Sequence, residues 1–495
     1  MWFFTVALIS ICVLMVIRWL QERRRDFAKH VPWVRPYLPV LGNGLLFIGK
    51  DDVQRFWNMQ KMFDRKENLF RFYLGPNTVF GTNDPGTAQQ ILTDPNCMDK
   101  PYVYDYFLAD CGVFAAKTSV WKSQRKALNP TSNVRVLQGY IPTFCRINSA
   151  MIKRLENVPA GKTINFMDYA SRLAVELVCA TTLGFDINQF DDPDGFAHNM
   201  ERVFYVASRR MLNVHLQLDT VYRWTKDYRE ERALREKMES YAMKIYESAE
   251  RRFSSPPEDD EDHEQEKSRI LVHQLFVNKH RKFAKMEILH NIYTIIAAGT
   301  DTTANAVSYT CLQLAMHPEQ QERLYNEIND IFPNSEPIIT LEALKCLPYL
   351  DMVLKEALRL YPAAWIVMRE NTDDVIIDGL RIPKGNKFAV NIYSMQRRVD
   401  VWGPDANLFN PERFGAERSA TRHRYAFLPF SGGRRDCLGA RYAMISMKIM
   451  MVHLVKHFRF TTTMREEDIN FRFDALLRII GGHQLQIEKR CRKHT

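Results

Sequence analysis

The ten residues Phe430-Ser-Gly-Gly-Arg-Arg-Asp-Cys-Leu-Gly439 decide how the rest of the chain is read. Gly432 and Gly433 let the backbone turn tightly and approach a flat ligand closely. Arg435 supplies a charged fork suited to a carboxylate. Cys437 stands just before a helical pattern over residues 440–457, and the amides and dipole at a helix start favour a thiolate. A lone cysteine is usually buried and inert. Here the glycine-rich turn before it and the helix start after it set it apart from such a cysteine.

Further constellations lie outward from this loop. Trp121-Lys-Ser-Gln-Arg125 places two donors four residues apart, on one helix face. Residues 291–317 form a long apolar helical pattern stopped by Pro318, yet its centre reads Ala297-Ala-Gly-Thr-Asp301-Thr302-Thr303. Gly, Asp and Thr are poor helix-interior residues, and a local rule broken in a core helix marks a functional site. Glu356-Ala-Leu-Arg359 sets opposite charges at i and i+3. Its apolar neighbours Leu354, Leu358 and Leu360 predict a buried pair, and Tyr361-Pro362 ends the helix. Pro411-Glu-Arg413-Phe414 follows.

Taken in order, these segments resemble the cytochrome P450 family over nearly the whole chain. Residues 430–439 match its F-x-x-G-x-R-x-C-x-G loop at every fixed position, and Ala298-Gly-Thr-Asp-Thr302 matches its oxygen-activation motif. The resemblance implies a mainly α fold with small β-sheets (α+β) and haem b as cofactor, with Cys437 as axial thiolate on the iron. It implies that Trp121, Arg125, Arg369 and Arg435 hold the haem propionates. Ala298 and Gly299 are expected to leave room over the iron. Thr302 would organise water there and Asp301 relay protons to it. Glu356, Arg359 and Arg413 would hold the cysteine loop in place. The implied activity is a monooxygenase that inserts one atom of O2 into a lipophilic small molecule, whether fatty acid, hormone or xenobiotic. Its electrons would come from NADPH through NADPH–cytochrome P450 reductase, whose acidic surface suits Arg434, Arg441 and Lys448. Positions expected to line the pocket are Val113, Phe114, Phe204, Ala297, Ala298, Ile366, Val367 and Leu476.

Trp121-x-x-x-Arg-Lys-x-Leu-x-Pro130 and Leu358-Arg-Leu-Tyr-Pro362 resemble the fatty-acid ω-hydroxylase branch and its arthropod relatives. Ala298 departs from that branch, which often carries there a Glu able to esterify haem. Thr300 departs too, where the branch often has His. Two rival readings are a haem-thiolate isomerase that takes no electrons and a haem or lipid binder without catalysis. The intact Asp301-Thr302 pair disfavours the first.

Composition fits this reading. The 495 residues carry 68 Lys+Arg against 58 Asp+Glu. The stretch 258–266 holds seven of the acids and no Lys or Arg, so the remaining chain is more basic than the total suggests. No nucleic-acid module is present, which leaves anionic lipid or an acidic protein as partner. Nine scattered cysteines without a C-x-x-C pair argue against a disulfide framework or structural zinc, and for a reducing compartment. Trp2 to Ile17 is almost wholly apolar and is followed by Arg18 and Arg23 to Arg25. With no cleavage signal after it, the run reads as a retained anchor, near the lower limit for a span of ~30 Å. The expected organisation is a membrane anchor at 1–20, a basic, proline-containing linker at 21–40, and a monooxygenase domain at 41–495. The anchor would sit in the endoplasmic reticulum membrane with the body in the cytoplasm. A β-hairpin is expected between Asp64 and Gly81, and strands with turns from Asp373 to Val390. Residues 256–267 read as a solvated loop.

Overall fold

The computed structural model describes residues 2–24, 26–38, 41–75, 77–107, 111–254, 271–278, 281–334 and 336–490. The acidic stretch 256–267 lies outside them. Twelve helices of nine residues or more dominate the described chain. They are α1 (Trp2–Arg24), α2 (Asp52–Phe63), α3 (Pro85–Thr93), α4 (Thr118–Leu128), α5 (Val134–Glu156) and α6 (Phe166–Val178), followed by α7 (Pro193–Leu212), α8 (Lys226–Ser254), α9 (Lys285–Met316), α10 (Pro318–Ile331), α11 (Pro348–Leu360) and α12 (Ala440–His457). The expected mainly α architecture with small sheets is what forms.

Helix α9 is the axis of the core. It begins six residues before the periodic apolar pattern, because Glu287 accepts from the backbone N–H of Ala284 and caps the first turn. Pro318 both ends α9 and opens α10 as its first residue, where a missing N–H costs nothing. Gly299 marks the crossing of α9 with α6. A Cβ there would lie 2.7 Å from Val178 Cγ2, so the absent side chain serves close helix packing rather than open space.

Four strands make the main sheet, in the order β1 (Phe70–Leu74), β2 (Asn77–Thr82), β7 (Lys387–Asn391), β4 (Ile366–Glu370). The first two form the expected hairpin, with Gly75 in the left-handed region. The other predicted strand region contains β5 (Val375–Ile377) and β6 (Leu380–Ile382), joined by Asp378 at φ 48 and Gly379 at φ 75. Positive φ at both central residues is the twist a two-residue hairpin requires. Strand β4 carries Arg369 opposite Phe388 of β7. A second sheet sets β3 (Ile164–Asn165), the last strand β11 (Gln484–Lys489) and β8 (Phe458–Thr461) side by side, and β9 (Phe471–Arg472) pairs with β10 (Arg478–Ile479).

The pairing of Glu356 and Arg359 on α11 is completely buried. Arg359 Nε and Nη2 donate to the two carboxylate oxygens of Glu356 at 2.7 and 2.8 Å. Arg413 Nε reaches Glu356 at 3.3 Å and its Nη1 donates to Trp402 O at 2.8 Å. The remaining donors of Arg359 go to the carbonyls of Gln396, Ala406 and Leu408. Gln396 then accepts from the N–H of Leu428, and Leu428 O accepts from Ser431 N–H at the start of the cysteine loop. The charge network is therefore wired through backbone to that loop.

Residues 2–24 do form one helix, but among the described residues no helix is long and apolar enough to cross a membrane. The apolar run ends at Ile17, and sixteen residues at 1.5 Å each reach only ~24 Å. Leu8 and Leu14 on this helix are each 65% exposed.

Replacing Glu356 by Gln leaves the buried Arg359 without its counter-charge and Arg413 with Asp405 alone. The expected loss is about 3–5 kcal/mol, seen as a lower thermal denaturation midpoint. Glu342→Gln, at a surface position, should leave that midpoint unchanged.

Candidate active site

The cysteine loop owes its shape to contacts on its outer side. Cys437 N–H donates to Phe430 O at 3.0 Å and closes it. Gly433, at φ 75, could not carry a side chain, because a Cβ would sit 1.8 Å from Leu92 O of α3. A Cβ on Gly432 would press within 2.8 Å of the Tyr425 ring. Both glycines thus make room for neighbouring protein, which differs from the expected approach to a flat ligand.

Cys437 keeps accessible surface although it lies deep within the protein. Those two facts together describe a side chain on the wall of an internal cleft. Burial pushes its thiol above the ordinary value; the Gly439 N–H, Arg125 and Lys100 oppose that shift. A coordinating metal ion would override it and deprotonate the sulfur.

Helix α9 presents a wall of the same character. Its turns are buried, but Ala298 is exposed and Ile295, Gly299 and Thr302 are partly so. Positions i, i+3, i+4 and i+7 share one helix face. Thr302 Oγ1 donates to Ala298 O at 2.6 Å on that face. Asp301 is turned away from it. Its side chain is 1% exposed and bonds Arg478 of β10 at 2.7 Å. Burial pushes the Asp301 carboxyl up and Arg478 pulls it back. Asp301 therefore has no direct access to solvent.

Three cations gather beside Cys437. Arg435 donates to Met98 O at 2.6 Å and to the carbonyls of Phe114 and Ala116, and its guanidinium lies 5.1 Å from the Trp121 ring. Arg369 donates to Met368 O at 2.9 Å and lies near Ser431 and Arg435. The Lys100 ammonium stands 3.5 Å from the Phe114 ring. All three are buried, and among the described residues none forms an ion pair with a carboxylate. Burial, then their mutual repulsion, lowers Arg435 to about 10 and moves Lys100 well below its ordinary value; burial likewise lowers Arg369. Arg435 Nε is buried with no acceptor. Buried charge without a counter-charge costs several kcal/mol per ion, roughly. A dianionic ligand against this cradle removes that cost, so the residues present fit the two propionates of a haem.

Trp121, Arg369, Arg435 and Cys437 are thus brought together. Arg125 is engaged differently: its Nη2 and Nη1 donate to the carboxylate and carbonyl of Asp436, both at 2.7 Å, and its Nε to Asn129. Lys100 escaped the sequence reading, since a lysine before Pro101 carries no periodic or motif signal. Of the expected pocket positions, Ala298, Val113, Phe114, Phe204, Ile366 and Val367 keep accessible surface, whereas Ala297 and Leu476 pack into the core. Phe107 packs against both Phe114, edge to face at 6.1 Å between centroids, and Phe204, tilted at 5.8 Å. Of the three basic residues read as a docking face, Arg434 and Arg441 are exposed. Lys448 is held by Asp351 at 3.0 Å and is 15% exposed, so its charge is already matched.

The family model described as Cytochrome P450 matches residues 32–487. "Cytochrome P450 4c21" of Blattella germanica is 26% identical over 99% of both chains. "Probable cytochrome P450 313a4" of Drosophila melanogaster is 28% identical over 97% of this chain and 98% of its own. "Cytochrome P450 4V2" of Homo sapiens is 25% identical over 94% and 91%. With the match running from the linker to the last strand, the chain belongs to the cytochrome P450 family, and it is a haem-thiolate monooxygenase.

Proposed function

We propose that this monooxygenase inserts one oxygen atom into a lipophilic small molecule, with Cys437 as the thiolate ligand of its haem. The carrying observation is the pairing of an accessible but enclosed sulfur with three buried cations that lack a carboxylate. Trp121, Arg369, Arg435 and Lys100 would hold the propionates, and Arg125 would act through Asp436 and Asn129. When bound, a haem with a thiolate ligand supplies O–O cleavage. Thr302 holds water on the cleft face of α9, and Asp301 supplies protons from the other side of the same turn. Ala298, with no carboxyl, leaves no route to an ester link with the haem. Apolar walls at Val113, Phe114, Phe204, Ile366 and Val367 exclude water and favour a fatty acid, hormone or xenobiotic over a polar substrate. Electrons come from NADPH through NADPH–cytochrome P450 reductase, received near Arg434 and Arg441.

We further place residues 1–20 as a membrane anchor, 21–40 as linker and 41–495 as the monooxygenase domain, in the endoplasmic reticulum with the body cytoplasmic. A second apolar surface supports lipid contact. Trp224 is 88% exposed, with Leu218 at 45% and Val221 at 41% beside it, and Leu45 and Ile48 are also exposed. A tryptophan so placed suits the bilayer interface.

Cys437→Ala should abolish the red-shifted carbon monoxide difference spectrum of the reduced protein; a retained spectrum would give the ligand role to another residue. Lys100→Met should keep that spectrum but release haem to an acceptor protein about tenfold faster. Wild-type release would remove Lys100 from the cradle. Deleting residues 1–24 should release only part of the protein from microsomes, and adding Trp224→Ser should release most of the rest. Full release by the deletion alone would leave the second surface without a role.

A further inference from the structure

Arg472 and Arg478 stand directly opposite one another in the β9–β10 pair. Like charges across a ladder repel, yet both guanidiniums are drawn inward, with side chains 25% and 8% exposed. Three carboxylates lie among them. Asp301 of α9 takes Arg478 at 2.7 Å; Asp474, with its side chain fully buried, takes Arg472 at 2.7 Å; Glu201 of α7 takes Arg472 at 2.8 Å. The charge of Glu201 also reaches Arg478 and Asp301. Asp301 has 1% of its side chain exposed and Glu201 has 35%, so the group runs from the cleft helix to the surface of α7.

With every acid ionised, three carboxylates face two guanidiniums, which leaves one negative charge unmatched inside the protein. Such a group takes up one proton. Burial raises the carboxyls of Asp301 and Asp474 accordingly, while Glu201, half in solvent beside both arginines, is held below its ordinary value despite its own burial. The Nε atoms of Arg472 and Arg478 are buried and meet no protein acceptor. Donors in that position are satisfied by internal water. A shared proton and donors that call for water thus lie between Glu201 and Asp301.

We propose that Glu201, Arg472 and Arg478 form a proton inlet that recharges Asp301 from solvent, between α7 and the β9–β10 pair. This inference rests on the proton-delivery role proposed for Asp301 and Thr302. Arginine does not deprotonate in proteins, so Arg472 and Arg478 are positioning residues that hold carboxylates and water in line. When Asp301 gives its proton toward Thr302, its carboxylate remains beside Arg478. A proton taken from bulk water at Glu201 then replaces it through the intervening water, and no electron moves. The charged and titratable groups facing Glu201 are Arg472, Arg478, His198, Asp168, Asp301 and Asp474, which shares the Arg472 Nη2 with it.

The test uses the full chain with haem and reductase. Glu201→Gln should lower product formed per NADPH about tenfold, the low end for a lost acid–base step being larger, with peroxide released instead and a larger solvent deuterium isotope effect. Glu201→Asp should restore most of the coupling, and a small weak acid such as acetate should rescue Glu201→Gln. A second readout is independent of turnover. The resting protein should show an infrared band of one protonated buried carboxyl, assigned by its loss in Asp301→Asn. Glu201→Gln should remove that band, because two carboxylates then balance two guanidiniums. Unchanged coupling with an unchanged band overturns the inlet, as does uncoupling that neither Glu201→Asp nor acetate repairs. Thr302→Ala separates the two levels. If it leaves coupling intact, the acid–alcohol role itself fails; if it uncouples while Glu201→Gln does not, only the inlet fails.

Discussion

Three positive charges buried beside one sulfur set the terms for the rest of this molecule. Lys100, Arg369 and Arg435 come from three separate places in the chain, and each loses hydration when the protein closes around it. Backbone carbonyls of Met98, Phe114 and Ala116 take the Nη donors of Arg435 but leave its Nε and its charge unanswered. An arrangement of that kind is unfavourable alone and favourable with a dianion. A ligand that binds only the folded state stabilises it by mass action, and a dianion against these cations would do so.

The opposite solution appears under the same loop. Glu356, Arg359 and Arg413 are as deeply buried, but here Glu356 answers Arg359, Asp405 shares Arg413 with it, and the spare donors are used on carbonyls. Matched charge makes a rigid support. Unmatched charge makes a receptor. The chain uses both within a short distance, with Gln396 and Leu428 carrying the rigidity of one to the other.

Helix α9 divides its central turn between two environments. Ala298 and Thr302 face the cleft, while Asp301 faces Arg478 and the ion network under α7. Adjacent residues on a helix point about 100° apart, so one acid–alcohol dipeptide touches both sides of the same wall. Gly299 lets α6 pack closely against this turn through Val178 and holds the wall in place.

Much of this was legible from residue order alone. The spacing of Cys437 to Arg435 and the glycines, the i, i+3 pairing of Glu356 with Arg359, and the polar break in an apolar helix are local patterns. Local patterns survive in sequence because covalent spacing alone sets which side chains share a face. The two hairpins were readable for the same reason: Asp378-Gly379 tolerates the positive φ that its turn needs. What sequence could not reveal was which distant group each charge would meet. Lys100 reaches the cradle, Arg125 is taken by Asp436, Lys448 by Asp351, and Asp301 by an arginine 177 positions away. Gly432 and Gly433 prove to yield space to Tyr425 and α3. The sequence by itself determined the family and the local patterns that carry it, since those depend on residue type and short spacing. Tertiary structure alone decided the partners of the buried charges, because an ion stripped of water is governed by whatever stands within a few ångströms of it, and folding chooses those neighbours.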